Sequence, residues 1–470
     1  MASYSMVVDG KQFASESTFD VINPATEGLA GEAPDCSREQ LDSAMAAAQA
    51  AFPKWARDED ARRQLMRDAA NAVVAAADRI APVLTSENGK PLRRATEEVY
   101  GIASWMNYYA NLEVEDEIIR PNDSVVIDVR RRPLGVVAAI SPWNYPLVLS
   151  SWKLAPALRA GNTIVLKPSP FTPLSTLVMG EVLAEVLPPG VLNVVSGGDE
   201  LGAWMTSHPV PRKISFTGSI ATGKAVAVAG AADLKRVTLE LGGNDAAILL
   251  DDIDPGGVAE GVFAAAFQNS GQVCSAIKRV YVSRQKFDDV VEALSERAKA
   301  ARVGDPMADD TELGPVSNAP QYRRVLGLLD DALRHGATPT AGGAPLDGPG
   351  YFVEPTVLRD VAEGVAIVDE EQFGPVLPVL VYDDVDEAIG RANGTMYGLG
   401  GSVWSSDPDR AAEVAAQLEC GTAWVNRHLG LAPFQPFGGV KWSGLGVENG
   451  HWGLEAFTDI QVLHRPAPTS

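Results

Sequence analysis

Short runs of continuously apolar residues alternate with longer segments of helical periodicity in the first half of the chain. The runs at 135–140 and 162–167 are rich in β-branched residues, which is typical of strands buried on both faces. A helix over 172–187 is indicated by an opening Thr-Pro pair and by the Pro-Pro-Gly stretch at 188–190. Alternation of strand and helix at this spacing predicts a parallel, doubly wound sheet.

The alternation starts again after residue 242. Residues 246–250 and 279–282 have the apolar pattern of strands, and residues 256–269 and 286–301 have that of helices. The sequence therefore predicts an α/β fold with two doubly wound parallel-sheet domains. The two predicted domains comprise, in order, residues 1–120 with 133–241, and residues 242–430.

Two further segments are predicted to be strands outside these domains. Residues 124–132 are predicted to form a strand with a basic end, and residues 458–464 are predicted to form another strand. If these strands pair, they form a small β arm with an exposed edge that a second subunit can cover. We therefore predict an oligomerisation arm made of residues 121–132 and 455–470.

Composition narrows the class of protein. The chain has 470 residues, 46% of them hydrophobic, and a formal net charge of −22. So strong a negative charge argues against nucleic acid and anionic membranes as partners. The N-terminus lacks the pattern of a signal peptide, and three sparse cysteines do not resemble a disulfide framework, so we expect a cytoplasmic protein. No metal-ligand spacing is present, and we predict no metal site.

The candidate chemistry centres on Cys274 in Gly-Gln-Val-Cys and on Glu240 in Glu-Leu-Gly-Gly. A thiolate can attack a carbonyl, and a carboxylate can then activate the water that releases an acid. Each residue alone also has a plainer interpretation. A free cysteine is usually inert core, and a single glutamate usually lies on a solvated surface.

Three other segments could serve such a site. Asn144 lies in a loop stiffened by Pro142 and Pro146, where its amide could donate to an oxyanion, although an ordinary Asx turn is the more frequent explanation. Lys167 ends a predicted strand, where ligands of open α/β sheets bind. The turn from Phe216 into a helix carries Gly218, Ser219 and Gly223, and could hold a pyrophosphate or simply cap the helix, as most such turns do.

Taken together, these segments resemble the aldehyde dehydrogenase superfamily over nearly the whole chain. Their order and spacing match the family's pattern. The matching motifs are Pro-Trp-Asn-Tyr-Pro, Phe-Thr-Gly-Ser, Glu-Leu-Gly-Gly-Asn, Gly-Gln-Val-Cys, Glu-Gln-Phe-Gly-Pro and Pro-Phe-Gly-Gly. The resemblance implies a Rossmann-like cofactor-binding domain in the first predicted region, a catalytic domain in the second, and oxidation of an aldehyde to a carboxylic acid with NAD or NADP.

The resemblance also implies roles for the catalytic residues. Cys274 would form a hemithioacetal and then a thioester, and Asn144 with the backbone N–H of Cys274 would stabilise the oxyanion. Glu240 would activate the water that hydrolyses the thioester. Lys153 and Asp459 match a proton-relay pair for that base, although aspartate is shorter than the glutamate often found there.

The implied cofactor contacts lie on both predicted domains: Ile140, Ser141, Trp143, Lys167, Ser169, Pro170, Gly218, Ser219, Gly223, Leu241, Gly242, Glu371 and Phe373. Pro170 departs from the family pattern, because NAD-preferring members often carry glutamate there. The absence of this glutamate removes a hydrogen-bond acceptor for the ribose hydroxyls and also the negative charge that would repel a 2′-phosphate. We therefore predict that NADP is at least tolerated and leave the preference open.

The implied substrate pocket is aromatic or apolar near the nucleophile: Tyr145, Trp152, Val273, Ser275, Leu431 and Phe437. This lining favours a medium aliphatic or aromatic aldehyde. A semialdehyde dehydrogenase would need an arginine at the tunnel mouth, for which Arg279 and Arg427 are candidates. A CoA-acylating enzyme or a non-catalytic binding relative remains an alternative, although the presence of Glu240, Cys274 and Asn144 argues against both. Relatives form dimers or tetramers, so we expect a homodimer or homotetramer.

Overall fold

A computed structural model describes residues 4–114, 117–122 and 124–467 of the chain. Its strands, numbered in chain order, are β1 (Met6–Val8), β2 (Lys11–Phe13), β3 (Thr18–Ile22), β4 (Leu29–Pro34), β5 (Glu117–Asn122), β6 (Val125–Pro133), β7 (Val136–Ile140), β8 (Thr163–Lys167), β9 (Leu192–Val194), β10 (Lys213–Thr217), β11 (Arg236–Glu240), β12 (Asp245–Leu249), β13 (Ile277–Ser283), β14 (Thr338–Ala341), β15 (Thr356–Arg359), β16 (Val376–Tyr382), β17 (Gly400–Trp404), β18 (Thr422–Val425), β19 (Gly444–Leu445) and β20 (Thr458–Pro466).

The helices are α1 (Arg38–Trp55), α2 (Glu59–Ala75), α3 (Ala77–Asn88), α4 (Leu92–Asn111), α5 (Pro146–Ala160), α6 (Leu174–Ala184), α7 (Asp199–Ser207), α8 (Ile220–Ala231), α9 (Pro255–Phe267), α10 (Phe287–Ala300), α11 (Ala319–Arg334), α12 (Ala366–Asp369), α13 (Val385–Asn393), α14 (Pro408–Ala415) and α15 (Gly450–Glu455). A 3₁₀ turn, Gln268–Gly271, follows α9. Among the described helices, none combines the length and apolarity needed to cross a lipid bilayer.

The first large sheet has a parallel centre and antiparallel edges. Its strand order is β19-β11-β10-β7-β8-β9-β1-β2, and the five strands from β11 to β9 are parallel. Every residue of β7 and β8 is buried, as their continuous apolar runs predict for central parallel strands. β10 is also buried throughout, although Lys213, Ser215 and Thr217 are polar. The N-terminal hairpin and β19 complete the edges, which the sequence pattern does not predict because these strands are only two or three residues long.

The second large sheet has the order β14-β15-β16-β13-β12-β17-β18, and only the β14–β15 pair is antiparallel. Both of its faces are covered by apolar side chains. Ile248 of β12 belongs to one hydrophobic cluster, and its neighbour Leu249 belongs to a separate cluster on the opposite face. The predicted α/β fold with two doubly wound sheets is confirmed, and the domain boundaries stay a prediction.

The predicted arm strands do pair. β20 runs antiparallel to β6, from Thr458 opposite Pro133 to Pro466 opposite Val125, and β5 adds a third strand on the other side. Arg465 and Asp128 form an ion pair across the two strands, with Nε and Oδ2 2.8 Å apart. The arm also exposes apolar side chains to solvent: Ile118, Ile119, Ile460, Val462 and Leu463.

Candidate active site

The candidate nucleophile follows a loop whose backbone is held in an unusual conformation. Asn269 and Ser270 have φ angles of 52° and 54°, and Gly271 continues with 74°. A β-carbon on Gly271 would lie 2.2 Å from the carbonyl oxygen of Gly374, so this position admits only glycine. Two left-handed non-glycine residues cost on the order of 1–3 kcal/mol each, and they persist where the surroundings impose them. The loop is therefore a preorganised support for Cys274.

Cys274 is partly exposed, yet its thiol is held in the neutral form. Burial raises the pKa of Cys274 to about 12, and the nearby Lys278 ammonium opposes that rise. Lys278 Nζ donates to the carbonyl oxygens of Val273 and Cys274, at 2.9 and 2.6 Å. The cation therefore fixes the backbone on both sides of the nucleophile, and the thiol needs a base before it can attack.

Asn144 is bonded directly to the nucleophile loop. Its side-chain Nδ2 donates to the carbonyl oxygen of Gln272 at 3.0 Å, two residues before Cys274. Its own carbonyl oxygen accepts from Lys90 Nζ at 2.9 Å and from Asn269 Nδ2 at 3.1 Å. The structure thus brings the predicted oxyanion donor and the predicted nucleophile together.

A buried ion pair between Lys90 and Glu98 supports the backbone at Asn144. Lys90 Nζ contacts Glu98 Oε2, and both side chains are almost fully buried. The other carboxylate oxygen, Glu98 Oε1, accepts from the backbone N–H groups of Leu147 and Val148 at 2.9 and 3.1 Å, which are the start of α5. Sequence analysis did not identify this pair, because a charged residue on a helix, such as Glu98, or in a short connection, such as Lys90, is usually solvated.

Glu240 ends β11 and is enclosed. Neither of its carboxylate oxygens has a hydrogen-bond partner among the described residues. Burial raises the pKa of Glu240 well above its ordinary value, the Glu448 carboxylate adds to the rise, and the Lys153 ammonium opposes it. A buried carboxyl with a raised pKa and no fixed partner is suited to accept and release protons.

The predicted relay pair of Lys153 and Asp459 is wrong in its second member. Lys153 Nζ donates to Glu448 Oε1 and to Thr217 Oγ1, both at 2.8 Å. Asp459 instead lies at the surface in β20, where it binds Arg236 Nη2 at 2.8 Å. The physical reason is the register of the arm, which turns Asp459 toward solvent. The residue that sequence analysis missed is Glu448, which lies in a Gly-Val-Glu segment near the end of the chain.

The predicted cofactor residues lie along the carboxyl edge of the first sheet. Lys167 ends β8, and burial lowers its pKa to about 8 while the Asp199 carboxylate opposes the shift. Its Nζ has the carbonyl oxygen of Pro168 at 3.2 Å, and its own carbonyl accepts from the N–H of Ser141, which follows Ile140 at the end of β7. Beyond Lys167, Ser169 Oγ accepts from the N–H of Phe171, and Pro170 is partly exposed.

The turn into α8 has the geometry of an anion site. Ser219 caps the helix, with its Oγ accepting from the N–H of Thr222 at 3.2 Å. Gly218 precedes the cap, and Gly223 lies against the side chain of Leu241, so the sheet and the helix approach closely. The free N–H groups of the first turn can bind a phosphate.

A second group of predicted cofactor residues faces this edge from the other sheet. Glu371 Oε1 accepts from the N–H of Gly243 at 3.1 Å and lies 3.5 Å from Lys278 Nζ. Gly242 leaves room for it, because a β-carbon there would lie 2.1 Å from Glu371 Oε2. The rings of Phe373 and Trp143 pack edge to face, with centroids 5.2 Å apart. A cation, an anion-binding turn, a carboxylate and an aromatic wall along one edge fit a dinucleotide.

The predicted substrate residues include a packed aromatic group. Trp152 stacks on Trp105 with ring centroids 5.6 Å apart and meets Phe437 edge to face at 5.4 Å. Tyr145 is fixed by its hydroxyl, which accepts from Gln268 Nε2 at 2.8 Å. Sequence analysis missed Trp105, because α4 gives no local sign that it contacts Trp152.

The remaining predicted pocket residues are Leu431, Val273 and Ser275, and they differ in burial and in their contacts. Leu431 is partly buried against the first core, and Val273 is buried beside the nucleophile. The Ser275 side chain is enclosed, and its carbonyl oxygen lies 2.8 Å from Nε2 of His428. Ser275 therefore anchors the nucleophile loop to His428 through its backbone carbonyl.

The two arginines considered as binding residues for a carboxylated substrate, Arg279 and Arg427, differ in their exposure to solvent. Arg279 is buried in the second sheet and donates to the carbonyls of Asn244 and Ala392 and to the hydroxyl of Tyr281. Its guanidinium is engaged there, which excludes it as the predicted tunnel-mouth residue. Arg427 is exposed in the loop after β18.

Two doubly wound sheets with a cysteine, a carboxylate and a helix N-terminus able to bind phosphate fit an oxidoreductase that uses a dinucleotide. The chain belongs to the aldehyde dehydrogenase family, whose model, described as "Aldehyde dehydrogenase family", matches residues 12–463. Retinaldehyde dehydrogenase 3 of Mus musculus is 39% identical over 465 residues, which cover 97% of this chain and 91% of that protein.

Other relatives agree. The chloroplastic betaine aldehyde dehydrogenase of Amaranthus hypochondriacus is 38% identical over 99% of this chain and 97% of its own length. The structure of an aldehyde dehydrogenase from Bacillus cereus in complex with NAD⁺ matches with a TM-score of 0.97 at 36% identity, and the match covers 99% of this chain and 97% of that one. The family prediction is confirmed, and the chain is an aldehyde dehydrogenase.

Replacing Lys90 by methionine tests the ion pair under Asn144. We expect the free energy of unfolding to fall by about 3 kcal/mol, because the buried Glu98 carboxyl loses its cationic partner. The double variant Lys90→Met/Glu98→Gln keeps an acceptor for Leu147 and Val148 without the charge, and should recover more than half of the loss. Urea denaturation followed by circular dichroism measures both, and an equal loss in the two variants would contradict this role.

Glu240→Gln tests the burial of the carboxyl through the pH dependence of stability. Because the folded state raises the pKa of Glu240, it binds that proton more tightly than the unfolded chain does, so stability falls as pH rises above the unfolded value. Glutamine cannot ionise, and the Tm of the variant should exceed that of the wild type by a margin that grows from pH 5 to pH 8. The exposed Glu296→Gln is the control, with no such trend, and parallel Tm profiles for Glu240→Gln would refute the burial argument.

Proposed function

We propose that this protein oxidises an aldehyde to its carboxylic acid with NAD⁺ or NADP⁺, through a covalent thioester on Cys274 that water hydrolyses. The observation that carries the proposal is Glu240, a buried carboxyl with raised pKa and no hydrogen-bond partner among the described residues, which lies close enough to Cys274 to raise the pKa of that thiol. A structural glutamate would have its oxygens bonded. A general base for water must keep them free.

The first step uses Cys274 and Asn144. The thiol loses its proton to a base, a sulfur–carbon bond forms, and the carbonyl electrons move onto oxygen. Asn144 Nδ2 and the backbone N–H of Cys274 donate to that oxyanion, and the Lys90–Glu98 pair keeps the amide in place. NAD(P)⁺, when bound, supplies the acceptor for the hydride that the same carbon then loses.

The second step uses Glu240. Its carboxylate takes a proton from water, the new hydroxyl bonds to the acyl carbon, and the carbon–sulfur bond breaks to return the Cys274 thiolate. Lys153 and Glu448 lie next to Glu240 and set how readily it gives the proton up, one opposing and one adding to the rise in its pKa. The carboxylic acid then leaves.

The substrate we favour is a medium aliphatic or aromatic aldehyde. Trp105, Trp152 and Phe437 form an aromatic group, and Tyr145 packs against the same hydrophobic core. Apolar chains and rings gain about 25 cal/mol for each Å² that such a lining removes from water. The names of the relatives include retinaldehyde, which is apolar, and betaine aldehyde, which is cationic, so they do not decide the substrate.

The cofactor preference follows from the residues around Lys167. Relatives bind NAD⁺ in their structures. Pro170 supplies neither a carboxylate for the ribose hydroxyls nor a charge against a 2′-phosphate, and Lys167 offers a cation nearby. We propose that NAD⁺ and NADP⁺ are both used, within a homodimer or homotetramer joined through the arm and located in the cytoplasm.

Covalent catalysis is tested by rapid mixing with a panel of aliphatic, aromatic and carboxylated aldehydes, without CoA. Glu240→Gln should give one fast burst of reduced cofactor and then a steady-state rate at least about a hundredfold lower, because only hydrolysis is impaired. Cys274→Ala should give no burst, while Cys420→Ala behaves as the wild type.

The same assay separates the alternatives. Recovery of turnover in the wild type only after CoA is added would contradict hydrolysis and indicate acyl transfer. A preference for carboxylated aldehydes that Arg427→Ala abolishes would indicate a semialdehyde substrate. Absence of cofactor reduction on the whole panel would contradict the proposed activity.

Pro170→Glu tests the cofactor argument. The new carboxylate should repel a 2′-phosphate and accept hydrogen bonds from ribose hydroxyls, so kcat/KM with NADP⁺ should fall at least about tenfold while that with NAD⁺ holds or rises. Pro170→Gln, which is neutral and of similar size, is the matched control and should keep NADP⁺ activity. Equal effects of the two substitutions would show that charge at this position does not select the cofactor.

A further inference from the structure

A stripe of buried polar side chains runs along one face of the first sheet, beneath the active site. β10 and β11 are paired so that Ser215 lies beside Thr238 and Thr217 beside Glu240. Because side chains alternate between faces, Lys213 stands on the same face, two residues before Ser215. All five side chains are buried. A polar stripe in the interior of a parallel sheet departs from the apolar filling usual there.

The partners of this stripe are also buried and ionisable. Glu448 Oε1 accepts from Lys153 Nζ at 2.8 Å and from Ser215 Oγ at 3.0 Å, which links the residue next to Glu240 to the middle of the stripe. Glu448 Oε2 has no partner among the described residues. Lys213 Nζ donates to Thr238 Oγ1 at 2.6 Å and stands 4.6 Å from the ring centroid of Phe457.

Lys213 lies where the stripe approaches solvent. It is the first residue of β10, about 13 Å along the strand from Thr217. The residue before it, Arg212, is exposed, and so is Arg236 opposite it at the start of β11. The stripe therefore extends from the enclosed Glu240 to the open amino ends of the two strands.

We propose that Lys213 is a proton-transfer residue, which receives from Glu448 the protons that leave Glu240 and passes them to solvent at the amino ends of β10 and β11. The proposal rests on the proposed function. Conversion of an aldehyde and water into a carboxylate releases one hydride and two protons, so each turnover needs protons removed from an enclosed base. No further oxidant or co-reactant is involved.

The charges around Lys213 suit this task. Burial lowers the pKa of Lys213 to about 7, and Glu448 opposes that shift, while Lys153 from α5 and Arg236 from β11 add to it. An ordinary lysine, with a pKa of about 10.4, would hold its proton at neutral pH. A position that needed only a fixed positive charge would be better filled by arginine, which stays protonated at neutral pH.

The test compares Lys213→Met with Lys213→Arg, which keeps the charge but does not release a proton at neutral pH. In both variants we expect an unchanged burst of reduced cofactor and an unchanged KM, with kcat at pH 7.5 at least about tenfold lower. Proton release, followed with a pH-indicator dye in stopped flow, should lag behind cofactor reduction. Hydrolysis of p-nitrophenyl acetate without cofactor should slow by a similar factor.

The matched control is Lys235→Met, whose buried side chain pairs with Asp233 and which sits one residue before Arg236, off the stripe face. It should keep the wild-type kcat. Wild-type kcat and proton release in Lys213→Arg would overturn the proposal and leave only a structural charge. If Lys213→Met does not fold, Thr238→Val decides, because it removes the hydrogen bond to the Lys213 ammonium. On the proposal, the kcat of the wild type rises with pH around the pKa of Lys213, about 7, and in Thr238→Val this rise should move to lower pH. An unmoved pH profile of kcat would contradict the proposal.

These results are distinct from failure of the proposed function. If the wild type shows no burst that depends on Cys274, the aldehyde dehydrogenase mechanism itself fails. If the burst is present and only the Lys213 variants behave as the wild type, the mechanism stands and the proton route lies elsewhere.

Discussion

Desolvation of ionisable groups is the constraint on which this active site depends. Glu240 and Cys274 both hold their protons more firmly than they would in water, because their charged forms are poorly solvated. Two buried cations then act on this balance, Lys278 at the nucleophile loop and Lys153 beside the carboxyl. The site is poised by burial and tuned by fixed charges, which makes proton movement as important to the reaction as bond formation.

The surrounding architecture maintains that balance. The left-handed backbone at Asn269 and Ser270 and the close approach at Gly271 fix the nucleophile, while the Lys90–Glu98 pair fixes Asn144 and the start of α5. Such pairs contribute little net stability compared with apolar packing, but loss of one partner is costly. The Lys90–Glu98 pair therefore serves to fix the positions of Asn144 and of the start of α5.

The sequence predicted the fold well where one physical signal dominates. Continuous apolar runs located β7 and β8, and repeated strand–helix spacing indicated two doubly wound sheets. Motif order placed the nucleophile loop and Asn144 together, as the bond from Asn144 to Gln272 shows. In each case the signal is local or lies in the order of segments.

The features that the sequence did not predict depend on tertiary contact. Glu98 and Trp105 lie on a helix whose pattern does not reveal that they are buried, and Glu448 reaches Lys153 from nearly three hundred residues away. Asp459 had a suitable position in the chain but the wrong orientation, which only strand register determines. Buried charges are rare, so neither composition nor periodicity predicts their partners.

The central claim is that an acyl group is carried on Cys274 and released by water at Glu240. Acid quenching of Glu240→Gln after one burst, followed by proteolysis and mass spectrometry, tests it directly. The account predicts that the peptide with Cys274 gains the mass of the acyl group, and that wild-type turnover in ¹⁸O-labelled water puts one labelled oxygen into the acid. An unmodified Cys274 peptide after a full burst, or an adduct on another residue, would contradict it.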